Sequence, residues 1–84
     1  MVVAFVLVTL TPGSEKTVSK LLTDLKEVVE VDELYGEYDV IMKVKVSTLA
    51  ELDTFLTDKI RSIPDVYLTS TMIVANQHKG EEKI

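Results

Sequence analysis

Val2-Val3-Ala4-Phe5-Val6-Leu7-Val8-Thr9-Leu10 is a run of β-branched, aromatic and aliphatic residues ended by the turn-forming Thr11-Pro12-Gly13-Ser14. A strand with one wet face alternates apolar and polar residues. This one is apolar at both parities, so it is predicted to be a central strand with both faces covered. Outward from it, Ser14 is placed to cap a helix in which Val18, Leu21, Leu22 and Leu25 recur at i, i+3, i+4 and i+7. Lys16, Lys20, Thr23, Asp24 and Glu27 form its outer face. Val28 to Tyr35 follows, with Glu30, Asp32 and Glu33 among the hydrophobics, a pattern suited to an edge strand.

Gly36-Glu37-Tyr38-Asp39 turns the chain, and Val40, Met42, Val44 and Val46 then alternate with Ile41, Lys43 and Lys45 as a third strand. Thr48 with Glu51 makes a capping box ahead of Leu49, Leu52, Phe55, Leu56, Ile60 and Ile63, and Pro64-Asp65 stops that helix. Tyr67 to Ala75 reads as a last strand. The order β-α-β-β-α-β is that of a ferredoxin-like α+β fold, with an antiparallel sheet in the order 4-1-3-2. Right-handed crossovers put both helices on one face. The domain is assigned to residues 1–75 and a polar, frayed tail to residues 76–84. The other sheet face would expose apolar side chains from the first strand, so a second copy is expected to pack on it, as in a dimeric α+β barrel.

With 84 residues the chain is one small domain, which buries only about 60 to 65% of its unfolded surface and commonly needs a disulfide, a metal or a partner subunit. Cysteine is absent and His78 is the only histidine, so no metal and no cofactor is expected and a partner copy remains. Nine Lys and Arg against 14 Asp and Glu give a net charge of −5, which argues against direct DNA binding. The run Val2 to Leu10 is far shorter than the roughly 20 residues of a membrane span, so no membrane association is expected and the cytoplasm is the expected location.

Function has to be argued from sites, because this fold carries many. Base stacking needs aromatics on the central strands, and only Phe5 is available. Acylphosphatase-like chemistry needs a cation after the first strand, where Thr11 to Ser14 supply none. Tyr35, Tyr38 and Tyr67 have no visible general base beside them, so no enzyme activity is expected. Gly36 to Asp39 admits two readings: glycine permits a close backbone approach and Asp39 could accept an ammonium group, or the segment is an ordinary hairpin turn. Thr69-Ser70-Thr71 likewise offers hydroxyls to a polar ligand, or simply good β-propensity at an edge.

These stretches carry a family resemblance. The Val-rich first strand, Leu34-Tyr35-Gly36-Glu37-Tyr38-Asp39-Val40, Ile63-Pro64-Asp65-Val66 and Thr69-Ser70-Thr71 resemble, in order and spacing, the effector (RAM-type) domain of Lrp/AsnC, or feast/famine, transcription regulators. The match spans about Val2 to Ala75. It implies an amino acid or similar small molecule as ligand, held by Leu34, Tyr35, Gly36, Glu37, Tyr38, Asp39, Thr69, Ser70 and Thr71. It also implies a dimer through the sheet faces, assembling into tetramers, octamers or rings. The first strand begins at Met1, where family members usually carry a preceding helix-turn-helix. A stand-alone metabolic sensor is therefore expected, modulating transcription regulators by mixed assembly with full-length members. Asp39→Ala is expected to weaken binding and leave the fold intact. Pro12-Gly13 also resembles the loop of ACT-type amino-acid-binding modules, whose ligand would lie near Ser14. A cofactor-free α+β barrel enzyme is the remaining alternative.

Overall fold

The computed structural model describes residues 1–80. Along the chain run β1 (Val2–Leu10), α1 (Glu15–Thr23), β2 (Val28–Glu33), β3 (Val40–Val46), α2 (Leu49–Phe55) with a π-helical extension over Leu56–Ile60, and β4 (Val66–Ile73). The sheet order is β2-β3-β1-β4, with all pairs antiparallel. This is the ferredoxin-like order read from the other edge, with β1 and β3 in the middle and the acid-rich β2 outside.

Alternation on the strands decides what faces the helices. Ala4, Val6 and Val8 of β1, with Val40, Met42 and Val44 of β3, are fully buried and form one core with Val18 and Leu22 of α1 and Leu52, Phe55 and Ile60 of the second helix. Among the described residues no polar or charged residue is buried there. The second helix widens where Arg61 N–H donates to Leu56 O at 2.8 Å, an i to i+5 bond, and Phe55, Leu56 and Ile60 are all buried along this stretch.

Local expectations held unevenly. Thr48 Oγ1 accepts from Glu51 N at 3.1 Å, while the Glu51 carboxylate reaches back to Ser47 N at 3.1 Å, so the capping box forms one residue wider than the usual pair. Ser14 does not cap α1 with its side chain: its hydroxyl donates to Thr11 O at 2.6 Å and closes the preceding turn instead. Leu21 and Leu49 are exposed, because the buried stripes centre on Val18 and Leu22 in α1 and on Leu52 and Phe55 in α2. Strand β2 ends at Glu33 and not at Tyr35, and β4 at Ile73 and not at Ala75.

Among the described residues no helix lies over the opposite sheet face. Register places Phe5 in one row with Lys43 and Met72, and Leu7 in the next with Ile41 and Ser70. Leu68 and Met72 are 67% and 53% exposed on this side. Residues 76–79 pass along one end of the face, where with Val3, Phe5, Lys43 and Lys45 they border a cleft of about 760 Å³.

Candidate functional site

β1 and β3 pair as far as Val8↔Val40, so the connection between β2 and β3 must lie beside the end of β1 and the start of α1. The turn is closed by Leu34 N–H donating to Asp39 O at 2.8 Å, and Asp39 N–H continues the ladder to Val8 O at 2.9 Å. Gly36 sits at φ +138°, a conformation L side chains rarely adopt. Within the turn Tyr35 is fully exposed, Glu37 is exposed and Tyr38 is partly covered.

Asp39 has a defined task in this arrangement. Its Oδ2 accepts from Leu10 N at 2.7 Å, a charge-assisted bond that ties the turn to the end of the central strand. Its other oxygen accepts no hydrogen bond among the described residues. Both readings of Gly36 to Asp39 therefore have a physical basis: the segment is a closed turn, and it keeps one carboxylate oxygen free.

The turn borders a cleft of about 470 Å³. Leu34, Tyr35, Gly36 and Asp39 form one side, and Glu15 and Lys16 from the first turn of α1, with Glu33 from β2, form the rest. Glu37 and Tyr38 do not line it. A second cleft of about 380 Å³ runs on between α1 and β2, and Lys16 and Glu33 border both. Sequence reading did not single out Glu15, Lys16 or Glu33 as site residues. The signal was present, since pairing of the first and third strands forces residues 34–39 against the segment after Leu10.

Thr69, Ser70 and Thr71 lie elsewhere. Thr69 pairs with Val8, Ser70 with Leu7 and Thr71 with Val6, all on the β4 side of β1. Asp39 is on the other side of the same strand, so about two strand spacings, ~10 Å, separate it from Thr69. The hydroxyls also divide between faces: Thr69 and Thr71 share the helix side with Val8 and Val6, and Ser70 shares the open side with Leu7. One chain does not bring turn and hydroxyls together. Among the described residues no group of three or more His, Cys, Asp or Glu could hold a metal ion, and no helix is long and apolar enough to cross a membrane.

The strand order, helix layer and open sheet define a ferredoxin-like α+β domain with a cleft at the β2 edge. The profile of the Lrp/AsnC ligand binding domain matches residues 3–84, and the chain belongs to that family of transcription-regulator domains. It is 43% identical over 76 residues to the HTH-type transcriptional regulator FL11 of Pyrococcus horikoshii, covering 90% of this chain and 50% of that protein. The chain thus spans about half the length of the curated relatives it matches. Among solved structures, the hypothetical protein PHS023 from Pyrococcus horikoshii superposes with a TM-score of 0.86 at 46% identity, covering 93% of this chain and 94% of that one. The transcriptional regulator NMB0573 of Neisseria meningitidis, solved as an L-Met complex, shares the fold with a TM-score of 0.87 at 18% identity, over 94% of this chain and 53% of that one. The curated relatives are transcription regulators, a non-enzymatic class.

Proposed function

We propose that this domain binds an amino acid or similar small molecule at sites shared between copies of the chain, and that occupancy modulates transcription regulators of its family. The observation that carries the reading is the separation of the two candidate halves: the turn at Gly36 to Asp39 and the hydroxyls Thr69 to Thr71 flank opposite sides of β1, each accessible from outside. A ligand that used both would be held between two chains, so binding and assembly would be coupled. The Neisseria regulator captured with L-Met supports an amino acid as the ligand class.

The open sheet face supports a dimer as the minimal unit, because Leu68, Met72, Phe5 and Leu7 would otherwise stay in contact with water. Larger symmetric assemblies follow where the edge sites join dimers. Mixed assembly with relatives such as FL11, through the domain they share, offers a route from ligand occupancy to transcription. The test is a thermal-shift screen of the twenty amino acids with native mass spectrometry of the assembly, since a ligand that binds only the native form raises its stability. A folded 9.4 kDa monomer that no amino acid stabilises would refute the proposal.

A further inference from the structure

One end of the open sheet face is basic in a chain that is acidic as a whole. Val3, Phe5, Lys43 and Lys45 share this face, because they alternate with the buried Ala4, Val6, Met42 and Val44. Register sets Phe5 beside Lys43 and Val3 beside Lys45. Residues 76–79 border the same ground and complete a cleft of about 760 Å³, inside the roughly 300 to 1,000 Å³ range of small-molecule sites. Val3, Phe5, Val29 and Val74 supply its apolar lining, and Lys43, Lys45 and Lys79 its cations. The one carboxylate among the described lining residues is that of Glu30, although the whole chain has 14 acids to nine bases. Glu30 lies directly across from Lys43 on the neighbouring strand and does not neutralise it. The one ion pair among the described residues joins Lys59 and Glu27, and Lys43 Nζ stands instead 6.0 Å from the centre of the Phe5 ring.

We propose that this cleft is a separate binding site for an organic anion with a flat apolar body. The body lies against Phe5 and the valines, and its anionic group is met by Lys43 and Lys45. Two residues apart on β3, these lysines have Cα atoms about 7 Å from each other, so both flexible side chains can reach one anion. The site shares no lining residue with the cleft beside the Gly36 turn, and it does not rest on amino-acid binding there. Its chemistry also explains why lysines stand on a face that is otherwise apolar at Leu7, Ile41, Leu68 and Met72: covering them without a counter-charge is costly, and the ligand provides one.

The probe is 8-anilinonaphthalene-1-sulfonate, an aromatic sulfonate whose fluorescence rises in apolar surroundings; the chain has no tryptophan to interfere. The wild type is compared with the double variant Lys43→Gln/Lys45→Gln, and circular dichroism and native mass spectrometry verify that fold and assembly are kept. Neither lysine belongs to the core or to an ion pair among the described residues, so both are kept. The wild type binds one dye per chain, and the double variant binds it about 10 to 150-fold more weakly, the equivalent of one charge-assisted hydrogen bond. Lys43→Arg/Lys45→Arg retains most of the affinity, because the charge is what the site uses. In competition, 3-phenylpropionate displaces the dye and the uncharged 3-phenylpropan-1-ol does not. Wild-type dye affinity in the glutamine variant, or equal displacement by the alcohol, overturns the proposal and leaves only an apolar sheet face. A wild type that binds no dye overturns it as well.

Discussion

Asp39→Ala tests whether the candidate turn is structural at its root. The substitution deletes the 2.7 Å bond from Leu10 N to Oδ2 and leaves that partly buried N–H, at the end of the central strand, without its partner. A hydrogen bond to a charged group contributes about 1.5 to 3 kcal/mol, and an orphaned buried donor costs about as much. For a domain of this size 1 kcal/mol moves the melting temperature by about 4 to 8 °C, so the ligand-free variant should melt roughly 6 to 24 °C below the wild type. Asp39→Asn keeps an amide oxygen for Leu10 N and loses only the charge assistance, so its drop should be about half as large. The assay is circular-dichroism melting without ligand at matched chain concentration, because the melting of an assembly depends on concentration. An Asp39→Ala protein that melts within a degree or two of the wild type would refute the structural role. The expectation that this substitution spares the fold would then stand.

Other perturbations have equally definite outcomes. Burial raises the pKa of Glu27, but the hydrogen bond from Lys59, a backbone hydrogen bond and the charges of Lys59 and Lys26 outweigh it and hold the carboxyl below its ordinary 4.5. A depressed folded pKa means stability that is present above 4.5 and lost as pH falls through the lower folded value, so Glu27→Gln should flatten that part of the acid limb in pH-dependent melting. At Gly36 an added Cβ would meet no atom within 4 Å, yet φ is +138°, so Gly36→Val should cost about 1 to 3 kcal/mol of backbone strain, read in urea melts. Leu68→Glu, on the open sheet face, should shift native mass spectra toward the monomer while circular dichroism of the remaining fold is retained; an unchanged assembly would place the contact elsewhere.

The fold was legible because each of its decisions leaves a local trace. A first strand apolar at both parities had to be central, and three acids between Val28 and Glu33 had to sit at an edge, and the sheet order follows both. Capping was less legible. Ser14 satisfies the residue preference of an N-cap, but its hydroxyl has two possible partners, and the turn carbonyl of Thr11 took it. Propensity cannot rank two local hydrogen bonds that differ by a fraction of a kcal/mol.

The site was legible only by halves, for a reason in the topology. Turn and hydroxyls were noticed as polar interruptions in apolar sequence, and nothing in such a pattern says on which side of β1 each would fall. Register supplies that, and it also shows why the two loop candidates were never independent. Leu10, bonded to Asp39, is followed within a few residues by the Pro12-Gly13 loop and then by Glu15 and Lys16, which line the same cleft as Gly36. A ligand placed near the start of α1 and one placed beside Asp39 therefore occupy neighbouring ground. What separates them is which element supplies the contacts, the first turn of α1 with Glu15 and Lys16 or the turn with Gly36 and Asp39, and in this structure both line one cleft.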